Sequence, residues 1–179
     1  DSLNSRLYRL VLLCKDYTGY KNLCEIVTRS YTEGFHDDMP RADEELLRKY
    51  SQGIVALTSG LKGEVGYNVS RGYAEKAEAA GLNLRDIYRD DLFLEVQESG
   101  LPDQAKINAW ALDFGQKHSI PLLATSDVHY LKKEDAAAHE GLQCIGAGYH
   151  LDEAKFNRIH PDEFYFKDEK KMRAQFRWH

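Results

Sequence analysis

Cysteine is scarce and scattered. The 179 residues include three, Cys14, Cys24 and Cys144, and no two of them form a CxxC pair. An odd count at wide spacing argues against a disulfide framework and for reduced thiols in a cytoplasmic setting. Each lies in an apolar context ("VLLCK", "NLCEIV", "LQCIG"), so each is expected to be a small core residue. A basic surplus is also lacking, since 24 Lys and Arg face 29 Asp and Glu for a formal net charge of −5. A free-standing nucleic-acid-binding domain usually carries excess positive charge to neutralise phosphates. If this chain works near DNA, other parts of a larger protein hold the DNA. No run approaches the roughly 18 apolar residues of a membrane span, and no signal-peptide pattern opens the chain. Internal repeats, low-complexity tracts and charge blocks are missing too.

What is present is alternation of apolar runs with amphipathic stretches. The length and the 42% hydrophobic content suit one core of ordinary size. "LYRLVLLC" (7–14) predicts a strand, followed by a helix with Tyr20, Leu23, Cys24, Val27 and Tyr31 on one face. Pro40 and "ADEELLRKY" mark a second, short helix. "GIVALTSG" is a strand bounded by glycines, and "YAEKAEAAGLNLRDIYR" a helix with a break expected at Gly81. "DLFLEVQ" alternates Leu92, Leu94 and Val96 with Phe93, Glu95 and Gln97. Pro102 opens a helix with Ile107, Trp110, Ala111 and Phe114 on one stripe, ending near His118. "IPLLAT" is the fourth strand, "KEDAAAHEGLQCI" the next helix, and "EFYFK" a short late strand. Asp168 is the expected N-cap of a last helix.

Strands alternating with helices of this length predict an α/β fold with a mostly parallel sheet. In doubly wound sheets and barrels alike, ligands gather beyond the carboxyl ends of the strands. There the sequence offers Thr58, Ser59 and Glu64 after the second strand, Glu95 and Gln97 on the third, and Thr125, Ser126, Asp127 and His129 after the fourth. Arg9 and Lys15 lie on the first.

Asp127 and His129 stand out. At i and i+2 of extended backbone, both side chains can converge on one point. A carboxylate oxygen and an imidazole nitrogen suit Zn²⁺ or Mn²⁺ at roughly 2.0–2.2 Å. The alternative is that Asp127 caps the following turn and His129 packs on Tyr130. "GLKGE" lacks the spacing and the Lys-Ser/Thr ending of a phosphate loop. Glu95 is either an internal hydrogen-bonding acid or a catalytic one. His36, His118, His139, His150, His160 and His179 are expected in surface or capping roles, although His139 could reach back toward the fourth strand. No Ser-His-Asp, Cys-His or G-x-S-x-G arrangement is present.

The segments "LVLLCKDYTGYKNLCEIVTRSYTEGF", "LLRKYSQGIVALTSGLKGEV", "DLFLEVQESGLPDQAKIN", "IPLLATSDVHYLKKEDAAAHEGLQCI" and "DEFYFKDEKKM" resemble, in the same order, the PHP domain of bacterial replicative DNA polymerase III alpha subunits of the DnaE type. The resemblance covers nearly the whole chain. It implies a distorted seven-stranded (β/α) barrel of which residues 1–179 form a single, incomplete PHP domain, a piece of a larger multidomain chain. The family's opening H-x-H segment would lie before Asp1.

In family members that retain activity, a metal cluster, typically zinc, sits at the strand ends and supports 3′–5′ exonuclease or phosphoesterase chemistry. By that correspondence Asp127 and His129 are ligand positions. Arg9 stands where active members have a histidine ("HLVLLAK"), and Gly60 where they have a cysteine ("SGCLAGEV"). Arginine cannot ligate a cation and glycine has no side chain to offer. The expected site is therefore degenerate, holding fewer divalent metals (zinc, alternatively manganese or magnesium) or none, with Glu95 and Thr125 lining the pocket.

Nucleotidyl transfer and its Mg²⁺ would reside in another domain. The implied partners are the other polymerase domains, DNA through them, and a proofreading exonuclease subunit docked on the PHP domain. The competing readings are a free-standing PHP phosphoesterase and a purely structural module. A barrel missing its first strands would also expose apolar sheet edge, so the isolated chain is expected to aggregate or be marginally stable.

Overall fold

The computed structural model describes residues 6–148, 150 and 162–176. The element order is β1 (Val11–Cys14), α1 (Tyr17–Thr32), α2 (Glu44–Lys49), β2 (Ile54–Leu57), a 3-10 turn (Gly60–Lys62), α3 (Glu64–Ser70), α4 (Ala74–Tyr88), β3 (Leu92–Gln97), α5 (Pro102–His118), β4 (Leu122–Thr125), α6 (Ala136–Ala147) and α7 (Glu169–Gln175). Local chemistry starts several of these helices. The carboxylates of Asp16, Asp43 and Asp168 accept from the third residue of α1, α2 and α7. Pro102 opens α5, where a missing N–H costs nothing.

The four strands form one sheet in the order β1-β2-β3-β4. β2, β3 and β4 run parallel, with Ala56 opposite Leu92 and Leu94 opposite Leu122. β1 runs antiparallel to β2, pairing Val11 with Leu57 and Cys14 with Ile54. The α/β class and the mostly parallel sheet follow the alternation in the sequence. The antiparallel first strand has a consequence for the site. Its N-terminal side, where Arg9 lies, meets the carboxyl ends of the other three. Lys15, at the opposite end, pairs with Asp91 at 2.6 Å, away from the site.

The core is built around the two central strands. Ile54, Ala56, Leu92, Leu94 and Val96 are buried against Ile87 and Tyr88 of α4 and against Ala111 and Phe114 of α5. The outer strands β1 and β4 are largely exposed, so helices do not cover every strand as their apolar composition suggested.

Several expectations need correction. α1 is where the periodicity predicts it, yet Tyr20, Cys24, Val27 and Tyr31 face outward, and Leu23 and Ile26 pack inward. Gly19 sets that rotation, because a Cβ there would fall 1.8 Å from the Gly53 carbonyl oxygen, so only this face can lie on the sheet. Cys14 and Cys24 are exposed, one on the outer strand and one on the outward face of α1, and Cys144 alone is buried. α4 runs unbroken through Gly81, whose hydrogen lies under the Phe114 ring. "EFYFK" is no strand but a single bridge between Tyr165 and Tyr130. α3 is an additional helix, whose seven residues are too few to show periodicity. His160 and His179 lie outside the described residues. No helix among the described residues is long and apolar enough to cross a membrane.

Candidate functional site

At the carboxyl ends of β2, β3 and β4 lies a cleft of about 740 Å³ lined by residues from six segments, among them Arg9, Lys62, Glu95, Asp127, His129 and His139. The strand-end rule thus leads to a cleft. It brings Arg9, Glu95, Asp127 and His129 to one pocket, with Thr125 and Gly60 immediately behind the lining.

Asp127 and His129 converge as their i, i+2 spacing predicts, with Asp127 Oδ2 3.4 Å from His129 Nε2. Asp127 does not cap the turn. His129 is held from behind, its backbone N–H donating to the Phe164 carbonyl at 2.8 Å and its ring edge-on to Phe164. His139 of α6 brings a second imidazole, 5.2 Å from His129 between ring centroids. It therefore belongs to the pocket rather than to the surface or a cap. Its position on a helix face after the fourth strand was the signal for it.

No sequence signal points to Lys62. The 3-10 turn after β2 carries it over the pocket, where its Nζ donates to Asp127 Oδ2 at 2.7 Å. Burial would push the Asp127 carboxyl up, but the hydrogen bond and charge of Lys62, with His129 adjacent, hold it below the ordinary carboxylate range. The turn itself is fixed by the segment leading into β1, since Arg9 N–H donates to the Lys62 carbonyl at 2.9 Å. "GLKGE" is no phosphate loop, yet it delivers the cation that faces the acid.

Glu95 is the internal acid of the two readings, at 5% exposure. Its carboxylate accepts from the Ser59 backbone N–H and from the Thr125 hydroxyl, the latter at 2.8 Å. Gln97 donates to the same Thr125 oxygen at 3.0 Å. The Thr58 hydroxyl in turn accepts from the Glu95 N–H at 3.0 Å. These bonds tie the ends of β2, β3 and β4 together. They also hold Ser59 in left-handed backbone at φ 59°, a conformation that costs a non-glycine residue about 1 kcal/mol or more. Glu64, also a strand-end candidate, turns away beside Tyr8, Tyr67 and Tyr73, where burial raises its pKa.

Among the described residues the donor set does not fit a multi-metal centre. Among the described residues no three His, Cys, Asp or Glu side chains are grouped to hold a metal ion. Arg9 and Lys62 bring positive charge to the same cleft. At Gly60 a side chain is disfavoured by a φ of +48° and crowded by Gln97, whose Oε1 would lie 2.9 Å from an added Cβ and whose amide is held by its bond to Thr125. Gln97 occupies the space that a ligand side chain at position 60 would need.

Comparison with known proteins places the chain by sequence. A sequence model of the PHP domain family matches residues 2–99. Over 172 residues, 96% of this chain, it is 40% identical to the DNA polymerase III subunit alpha of Thermus aquaticus. It is 41% identical over 171 residues to that of Deinococcus radiodurans and over 138 residues to that of Aquifex aeolicus, covering 93% and 77% of the chain. The chain spans 12–14% of the length of these relatives.

Proposed function

The chain belongs to the PHP domain family, and from that premise we propose that it is the PHP portion of the alpha, catalytic subunit of a bacterial replicative DNA polymerase III. In this reading the chain is part of one incomplete (β/α) barrel domain within a longer cytoplasmic protein, and DNA synthesis is carried out by domains outside it. The parallel β2-β3-β4 unit with its ligand-type residues at the carboxyl ends supports the barrel. The coverage of nearly the whole chain by polymerase alpha subunits supports the context.

Within that role the cleft is a degenerate phosphodiesterase site. Asp127 and His129 keep side chains that could ligate zinc, manganese or magnesium, while Arg9 and Gly60 do not. A hydroxide-generating metal cluster needs several converging ligands and an open position, and the Lys62 ammonium against Asp127 is the observation that carries the degenerate reading. The domain then contributes structure. Exposed Leu131, Leu142 and Ile145 around α6 suit packing against other polymerase domains or a docked proofreading exonuclease.

The test is an assay of the full-length protein on primed single-stranded DNA. Template-directed extension is expected, and 3′–5′ hydrolysis is expected to be the same with and without Asp127→Ala. A protein that extends no primer but hydrolyses phosphomonoesters, and loses that activity on Asp127→Ala, is instead a phosphoesterase.

A further inference from the structure

The geometry points to Lys62 as the resident cation of this pocket, an ammonium that takes the place of a divalent metal on Asp127 and pins the turn after β2 to the loop after β4. The inference concerns the pocket alone and stands whether or not the polymerase reading holds.

The spacing of the two surviving donors is what gives it force. Ligand atoms roughly 2.1 Å from a tetrahedral ion are themselves about 3.4 Å apart. Asp127 Oδ2 and His129 Nε2 are separated by 3.4 Å. The pair therefore retains the geometry of two neighbouring ligands, and nothing in its own arrangement turns a metal away. Lys62 does. Its Nζ lies 2.7 Å from the same Oδ2, so an ion bound there would contend for the same lone pairs with a fixed positive charge beside it. The ammonium satisfies the role a metal would otherwise fill, joining segments 65 residues apart and neutralising a half-buried carboxylate. Its own position is not incidental, because the Arg9 N–H bond to the Lys62 carbonyl anchors the turn that presents it.

The experiment titrates zinc ion into the full-length protein in competition with a chromophoric chelator, with circular dichroism to check folding. Wild type is expected to take up no zinc that depends on Asp127. Lys62→Met, which removes the charge and keeps the length, is expected to bind zinc at least about tenfold more tightly. That gain is expected to vanish when Asp127→Asn is added. Lys62→Arg keeps the charge and is expected to stay as indifferent to zinc as wild type. The proposal is overturned if wild type binds one zinc per chain through Asp127, if Lys62→Met binds no tighter than wild type, or if Lys62→Arg gains zinc as Lys62→Met does. Should Lys62→Met not fold, wild type and Lys62→Arg decide: zinc bound through Asp127 by either overturns the proposal, and indifference in both supports it.

Discussion

Lys62 Nζ and Asp127 Oδ2 meet at 2.7 Å across the mouth of the pocket, with side chains 42% and 34% exposed. That exposure places the pair in the range of screened surface bridges, about 0.2–1 kcal/mol. A double-mutant cycle of Lys62→Met and Asp127→Asn, read by urea unfolding, is expected to return a coupling in that range. A coupling indistinguishable from zero would mean the two side chains do not hold the loops together. The pH dependence has a definite sign. The Asp127 carboxyl is held below its ordinary value in the folded state. Its contribution is thus fully present above the unfolded carboxylate pKa and lost as pH falls through the depressed one. Asp127→Asn is expected to flatten the acid limb of the stability profile.

Glu95 ought to matter more to stability than its neighbours on the rim. It is buried and accepts from the Ser59 N–H and the Thr125 hydroxyl. Glu95→Ala leaves both donors without their acceptor and opens a cavity, and a loss of about 2–4 kcal/mol is expected. Glu95→Gln keeps one acceptor oxygen and should lose less. The denaturant midpoint reads both, and a Glu95→Ala midpoint equal to wild type would remove Glu95 from the tie between strand ends.

The strand ends were legible because apolar runs and the parallel-sheet rule are strong signals, and Asp127 with His129 needed only a period of two. Lys62 was not legible. It sits on a turn of three residues whose direction depends on Ser59 and Gly60 both adopting positive φ, and on a backbone bond from Arg9, fifty-three positions away. The orientation of α1 is hidden from the sequence for a related reason. Its aromatic stripe has the helical spacing of a buried face, but the Gly19–Gly53 backbone approach decides which face meets the sheet. Both failures involve contacts between distant backbone segments, which periodicity along one element cannot register.

Tyr88 offers a test of the core. It is buried between α4 and the sheet, and its hydroxyl has no hydrogen-bond partner among the described residues. Removing an unsatisfied polar group is neutral or favourable, so Tyr88→Phe is expected to leave stability unchanged or raise it by up to about 1 kcal/mol. Burial also pushes the Tyr88 pKa well up. A group whose pKa is raised on folding contributes stability present below its unfolded value, near 10, and lost as pH climbs beyond it. Tyr88→Phe should therefore extend the alkaline limit of the folded state, as followed by tyrosinate absorbance. A less stable variant would show that the hydroxyl has a partner.

α4 and α5 touch at Gly81, where an added Cβ would lie 2.7 Å from Phe114 Cζ and 3.2 Å from the Trp110 ring. Helix propensity alone predicts that Gly81→Ala stabilises by about 1 kcal/mol. Phe114, stacked on Trp110 with ring centroids 4.3 Å apart, is itself buried in the core, so it yields only by disturbing the packing beneath it. Overpacking is expected to win, with a net loss of about 1–2 kcal/mol. A gain in melting temperature would show that the aromatic pair can slide.

Gly60 separates two constraints that coincide at one residue. Its φ of +48° disfavours any side chain, and the Gln97 amide, 2.9 Å from where a Cβ would stand, blocks the space. Gly60→Ala is expected to cost about 1–3 kcal/mol, part conformational and part steric. Adding Gln97→Ala removes the steric part but not the conformational part, and it frees Thr125 of the bond it accepts. The two substitutions should therefore be non-additive, the double variant being more stable than the sum of the single losses predicts. Simple additivity in urea unfolding would mean that Gln97 moves aside freely. Position 60 would then resist a ligand side chain through its φ alone, and crowding by Gln97 would no longer count against a metal centre there.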